Sequence, residues 1–188
     1  MARFTAICDA DILYSAAATD LIIETSRAGV FRARWTDEIH EEWIRNLKKN
    51  RPDLDEIKIE RRRKLMDAAI PDALITGYES LSKSLSLPDP DDRHVLAAAI
   101  VGGADVIVTR NLKHFPEAQL SPFDIEAQHP DTFLVHQRGL NEQLFLECVR
   151  ACRRRLKRKN SPDEYLEGLA RAELVVLAAE LAKIKSLL

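Results

Sequence analysis

The amino-acid sequence predicts an α/β fold: a mainly parallel sheet with helices packed on its faces, followed by a C-terminal helical extension. Three observations lead there. Residues 4–8, Phe-Thr-Ala-Ile-Cys, form a short apolar run ending in Asp9, the pattern of a strand buried on both faces of a parallel sheet. Residues 104–109, Ala-Asp-Val-Ile-Val-Thr, repeat that signal, and helix-length segments lie between the two runs, so strands alternate with helices. Beyond residue 127 strand signals stop and helical ones continue.

Taken in order, the strand at 4–8 leads into a helix over 12–28, rich in Ala, Leu and Ile and stopped by Gly29 as a C-cap. Residues 31–35 read as a short strand or a loop. Thr36 then serves as an N-cap, with Asp37 and Glu38 where the first-turn dipole favours negative charge, and a second helix runs to about Leu47. Pro52 opens a connection to a charged amphipathic helix over 54–70, whose run Arg61-Arg62-Arg63-Lys64 reads as a solvated face. A strand is expected at 73–78 and a polar, turn-prone stretch at 80–90. Asp91-Asp92 start a helix that ends at Gly102-Gly103.

After the strand at 104–109 and a last one near 123–127, a turn at His129-Pro130-Asp131 leads into the tail. One tail helix spans about 141–159. Ser161-Pro162-Asp163-Glu164 then supplies an N-cap, a first-position proline and a capping-box acid for a final helix. Its Leu166, Leu169, Leu174, Leu177, Leu181 and Ile184 need a partner: the body of the protein, a second copy, or another chain. The division expected is a body at 1–135 and an extension at 136–188.

Composition narrows the function. The 188 residues suit one domain with an appendage, and 46% apolar with 31% charged residues is ordinary globular usage. A net charge of −2 means that any nucleic-acid surface must be local. No segment approaches the roughly 18–20 apolar residues of a membrane span, and no charged stretch followed by an apolar run opens the chain, so a cytoplasmic protein is expected. The three cysteines form neither a disulfide framework nor a paired metal motif; Cys148 and Cys152, one helical turn apart, read as reduced thiols on one face. Gly102-Gly103 lacks the G-x-G-x-x-G context of a dinucleotide site.

Chemistry gathers around acids. In open α/β sheets ligands collect beyond the carboxyl ends of the strands, where Asp9 and the Thr109-Arg110-Asn111 turn both fall. Asp92 begins a helix and can face the same rim. On the second helix Ile39, Trp43 and Leu47 define the apolar stripe, and at about 100° per residue Glu42 lies nearer its edge than Glu38 or Glu41. Singly, Asp9 reads as a strand-end residue, Glu42 as solvated surface and Asp92 as an N-cap; the combination is what matters. Carboxylates brought together without Lys or Arg repel one another and are stabilised by a hard cation with oxygen ligands, Mg²⁺ or Mn²⁺. An ion with open positions acidifies a bound water and neutralises phosphoryl charge, which is phosphodiester hydrolysis chemistry.

Four stretches carry a resemblance. Ile7-Cys8-Asp9-Ala10-Asp11-Ile12-Leu13 resembles the opening of PIN-domain nucleases. Residues 36–43, with Glu42 at the acidic position, resemble the family's second motif; residues 88–99, with Asp92 as ligand, its third; and residues 106–116 its fourth. The match covers about residues 3–135, and the tail is similar to the C-terminal extension of some VapC-type toxins. The resemblance implies a PIN-like three-layer α/β/α fold and a Mg²⁺- or Mn²⁺-dependent endoribonuclease. It also implies a frequent homodimer, held inactive by a cognate antitoxin that inserts into the active-site groove. Many members carry a fourth acid where this chain has Asn111; an amide can coordinate metal or orient water without adding charge, which weakens the case for a second metal.

Asp11 reads as a helix N-cap or an outer metal ligand, and Asp89 as turn chemistry. Arg93, Thr109 and Arg110 are candidates for contact with RNA, Thr109 alternatively as a hydrogen-bond partner of a ligating carboxylate. His94 and His114 lie within the motifs but have no companion at zinc-ligand spacing. Arg150, Arg153, Arg154, Arg155, Lys157, Arg158 and Lys159 form a basic segment fit for RNA backbone, for an acidic antitoxin segment, or for solubility alone. Two other readings compete. Asp9-Ala10-Asp11 also resembles the nucleophile motif of haloacid-dehalogenase-type phosphatases, with Asp9 attacking phosphorus. A PIN-type interaction module whose acids are relics is the other.

Overall fold

A computed structural model describes residues 4–156 and 161–188. In chain order the elements are β1 (Thr5–Cys8), α1 (Ala10–Tyr14), α2 (Ala16–Arg27), β2 (Arg32–Arg34), α3 (Asp37–Asn50), α4 (Glu56–Ala69), α5 (Glu79–Ser82), α6 (Arg93–Val101), β3 (Val106–Val108), α7 (Glu117–Leu120), β4 (Glu126–Gln128), α8 (Pro130–Leu140), α9 (Glu142–Arg155), α10 (Pro162–Arg171) and α11 (Val175–Ala182). The strands pair in parallel in the order β2-β1-β3-β4, with Ile7 opposite both Arg34 and Ile107. The α/β/α arrangement with C-terminal helices expected from the sequence is the one observed.

Strand order explains where a site can form. From β1 the chain moves one way to β2, then crosses back over β1 to reach β3 and β4. Right-handed crossovers in opposite directions put their helices on opposite faces and leave a crevice beyond the carboxyl ends of β1 and β3. Every residue of β1 and β3 is buried, as a central parallel strand requires.

Five expectations need correction. The helix expected over 12–28 is two helices. Ser15 takes an extended conformation and caps α2 through its hydroxyl at Ala18 N, while Arg62 and Thr19 donate to the Leu13 carbonyl freed at the break. Gly29 does sit in the left-handed region, at φ 83°. Residues 73–78 do not make a strand. Trp35 and Leu74 form one isolated bridge, Trp35 N to the Ala73 carbonyl and Ile75 N to the Trp35 carbonyl, before Gly77 turns the chain at φ 80°.

The Arg61–Lys64 run is not simply a solvated face. Arg62 lies 4.8 Å over the Trp43 ring, with burial pulling its guanidinium down to about 10, and Arg63 pairs with Asp37 at 2.7 Å. The turn at 129–131 opens a full helix, α8. The final helix is broken in two by Glu173, which adopts φ 64°.

The extension packs on the body of its own chain. Leu166, Leu169, Leu174, Leu177 and Leu181 are all buried, α10 lies against α2, and α11 lies against α8. Cys148 and Cys152 are free thiols facing α2, near the carbonyls of Glu24 and Asp20. The capping box at Ser161 and Glu164 forms as expected. Arg155 pairs with Asp20 and Glu24, and Arg150 and Arg153 donate to the carbonyls of Leu187 and Leu188. These arginines of the basic segment therefore serve internal contacts; Lys157, Arg158 and Lys159 lie outside the described residues.

Asp131 is a second link. Its buried carboxylate accepts from Val176 N at 2.7 Å and Leu177 N at 2.9 Å, capping the N-terminus of α11 from α8. Asp131→Ala leaves both donors without that partner and should cost about 2 kcal/mol in thermal or urea unfolding.

Candidate active site

β1 delivers Asp9 to the rim between β1 and β3, where it is 3% exposed. One carboxylate oxygen accepts from Ala10 N at 2.7 Å, opening α1, and the other accepts from the Thr109 hydroxyl at 2.7 Å, across the end of β3. Thr109, wholly buried, is shared: its hydroxyl also lies 3.3 Å from Asp11 Oδ2, and Asn111 N donates to it at 3.0 Å. Asp11 Oδ2 further accepts from Arg110 N at 2.9 Å, while its Oδ1 is buried with no hydrogen bond, 3.9 Å from Arg110 Nη1.

Glu42 reaches the rim because α3 is rigidly seated. Ile39, His40, Trp43 and Leu47 form its buried stripe. Trp43 donates to His40 Nδ1 at 2.8 Å, and His40 Nε2 and Trp35 Nε1 both meet Asp67 of α4 at 2.9 Å; burial lowers the His40 pKa against the opposing pull of Asp67. With that face fixed, half-buried Glu42 comes within 3.7 Å of His94 Nε2, and Glu38 within 3.8 Å of His94 Nδ1. Burial pushes His94 down, but the Glu42 hydrogen bond and the charges of Glu38, Glu42 and Asp9 outweigh it and hold the ring above its ordinary pKa.

Asp92 lies on a short 3-10 turn, residues 90–92, that leads into α6, and its side chain does not cap that helix. It meets His114 Nδ1 at 2.7 Å instead, with Asp89 3.8 Å from the same nitrogen. Asp89 also caps its own turn through Asp91 N at 3.0 Å. Asp89, Asp92 and His114 together offer three ligand atoms within 4.8 Å of one another.

Electrostatics join these groups. Burial, then the charge of Asp11 and lastly that of Glu42, push Asp9 up to about 7 against the Thr109 and Ala10 hydrogen bonds. Burial raises Asp11 as well, with Glu42 adding and Arg110 and Thr109 opposing. Burial raises Asp92, His114 opposes, and Asp89 and Glu42 add. Burial is the main cause throughout, and Arg110 beside Asp11 and His114 beside Asp92 offset only part of it.

Of the remaining candidates, Asn111 follows Thr109 with its side chain exposed. Thr109 has no surface to offer a substrate; its geometry is that of a carboxylate holder. Arg110 is engaged with Asp11 and with the extension. Arg93, first in α6, is partly buried, with its Nε lacking a partner. The sequence reading passed over His94 and His114 as partners of the acids. The available signal was position: His94 stands two residues after Asp92, and His114 five after Thr109.

Thr109→Val keeps the shape and removes the hydroxyl. On the expectation that these acids hold Mn²⁺, loosening Asp9 and Asp11 together should weaken its binding roughly 10–100-fold in calorimetry, with Thr109→Ser restoring it.

Beside Asp11 a cleft of about 470 Å³ is bordered by Tyr14, Asn46, Asn50, Arg110 and Glu173. No helix among the described residues is long and apolar enough to cross a membrane.

Comparison with known proteins places the chain. The PIN domain family model matches residues 5–113, and the VapC50 C-terminal domain model matches residues 130–183. A protein of Mycobacterium tuberculosis (strain ATCC 25618 / H37Rv) named "Putative ribonuclease VapC50" is 60% identical over 71 residues. That alignment covers 38% of this chain and 41% of the relative. No solved structure matches. With more than half its length matched by that model, the chain belongs to the PIN domain family.

Proposed function

We propose that this protein is a metal-dependent endoribonuclease, hydrolysing RNA phosphodiester bonds as the toxin of a type II toxin–antitoxin pair. The observation that carries the reading is the hydrogen-bonded array of Asp9, Thr109 and Asp11 at the crevice, with Glu42 near enough to push the Asp9, Asp11 and Asp92 carboxyls up. Membership in the PIN domain family and the likeness to a protein named as a ribonuclease support it. We take the chain as a nuclease body at 1–135 and an extension at 136–188, acting in the cytoplasm as a homodimer restrained by an antitoxin.

The donors fit a hard divalent cation. They are carboxylate oxygens, one of them, Asp11 Oδ1, buried with no hydrogen bond. Asp9, Glu42 and Asp92 would hold Mg²⁺ or Mn²⁺, with Asn111 and Asp11 able to contribute at the edge. Bound there, the ion supplies Lewis acidity toward a phosphoryl oxygen and toward a water. The protein does the positioning. Ala10 N and Thr109 hold Asp9 in one orientation, and His114 holds Asp92. His94 spans Glu38 and Glu42. Arg93, at the start of α6, has a charged group and a helix N-terminus at hand for the scissile phosphate. The cleft beside Asp11 gives the RNA strand a path away from the site.

The phosphatase reading has less support, because its second acidic pair follows a strand, whereas Asp91 and Asp92 lie on a 3-10 turn before a helix. The test is cleavage of single-stranded and structured RNAs by antitoxin-free protein with Mn²⁺, Mg²⁺ or chelator. Discrete products that vanish with chelator are expected. Turnover of a phosphomonoester with intact RNA would favour the phosphatase, and silence in both assays the inert module.

A further inference from the structure

Arg110 ties the crevice to the extension. Its backbone N–H donates to Asp11 Oδ2 at 2.9 Å and its Nη1 to the Asp11 carbonyl, so Asp11 is gripped at side chain and main chain by one residue. The rest of the guanidinium points the other way. Nη2 donates to the Ala172 carbonyl at 3.0 Å, and Nε lies 2.5 Å from the Glu173 carboxylate. Ala172 and Glu173 form the turn between α10 and α11, far along the chain from Arg110.

That turn is itself fixed. Glu173 holds φ 64°, a conformation that a non-glycine residue keeps only where its surroundings impose it. Leu174 beside it is wholly buried and donates to the Leu169 carbonyl at 3.0 Å, and Asp131 caps α11 just beyond. With its backbone N–H, both terminal nitrogens and Nε directed to the protein, Arg110 has little left for an RNA phosphate. A planar fork anchored at both ends transmits position, and a lysine in its place could not make the same set of bonds.

We infer that Arg110 is a positioning residue through which the α10–α11 turn of the extension fixes Asp11, and with it the carboxylate cluster, for metal binding. The inference rests on the nuclease reading and deepens it: the extension completes the site rather than only decorating the fold.

The test uses the intact chain. Mn²⁺ binding is followed by calorimetry, and kcat and KM are measured on an RNA the wild type cleaves, for Arg110→Ala, Arg110→Lys and Glu173→Ala. Arg110→Ala should weaken Mn²⁺ affinity roughly tenfold and lower kcat at least as much, with KM for RNA near wild type. Arg110→Lys should fail to restore either, and Glu173→Ala should move both the same way by a few-fold. Unchanged Mn²⁺ affinity with a raised KM would overturn the inference and make Arg110 a phosphate-binding residue. Unchanged affinity with only a lowered melting temperature would make it a structural strut. If Arg110→Ala does not fold, Glu173→Ala decides, since Glu173 touches none of the carboxylates. Failure of the wild type to bind Mn²⁺ would sink the nuclease reading itself, before any variant is compared.

Discussion

Asp9→Asn should reduce RNA cleavage by at least about a thousandfold while leaving a folded protein, with discrete products replaced by intact substrate on a gel. Both Asp9 oxygens are already oriented by Ala10 N and Thr109, so among the proposed ligands its geometry is the most fully set before metal arrives. An amide keeps that shape and removes the charge that attracts a hard cation. Residual cleavage at wild-type levels would mean that the acids at the crevice are not the catalytic centre. Loss of cleavage together with loss of the folded state would be equally contrary, because neutralising one member of a repulsive cluster relieves strain rather than adding it.

The same crowding should give the metal-free protein an unusual dependence on pH. Asp9 titrates near 3.8 in an unfolded chain and is pushed up to about 7 when folded, so the folded state holds its proton more tightly. The stabilisation from that proton is therefore complete below about pH 4 and fades as pH rises through 7. Thermal unfolding in chelator should show the melting temperature falling between pH 5 and pH 8. Mn²⁺ or Mg²⁺ should recover it at pH 8, since a ligand bound only by the folded state stabilises it. In Asp9→Asn most of this pH dependence and most of the metal response should disappear together. A metal-free protein equally stable at both pH values, and indifferent to the ion, would contradict the account.

Much of this was legible in the sequence, and the exceptions share a cause. The buried strands, the caps at Thr36 and Ser161, and the placing of Asp9 and Thr109 at strand ends follow from patterns within a few residues. The break at Ser15 does not, because it depends on Arg62, 47 residues away, supplying donors to the carbonyls that the break exposes. A basic run in a helix looks solvated until Trp43 is known to lie beneath one of its members. Residues 73–78 have strand composition, yet only Leu74 finds a bridge beside Trp35 before Gly77 turns the chain.

The same holds for the site. Motif positions locate Glu42 and Asp92, but the ring of His94 between Glu38 and Glu42, and that of His114 against Asp92, arise only when α3, α6 and the turn after β3 converge. The position of Glu173 is the extreme case. Nothing near it in the chain marks it as a neighbour of the acids, and only the folding of the extension onto the body brings it to Arg110.

The most direct test of the central claim is a calorimetric Mn²⁺ titration of the metal-free protein beside Asp9→Asn, Glu42→Gln, Asp92→Asn and His114→Ala. Binding that is lost or severely weakened in each of the three carboxylate variants, and only reduced in His114→Ala, is the expected result. Binding that survives Asp9→Asn and Glu42→Gln but disappears with His114→Ala would place the ion among Asp89, Asp92 and His114 instead, and would contradict a site centred on Asp9.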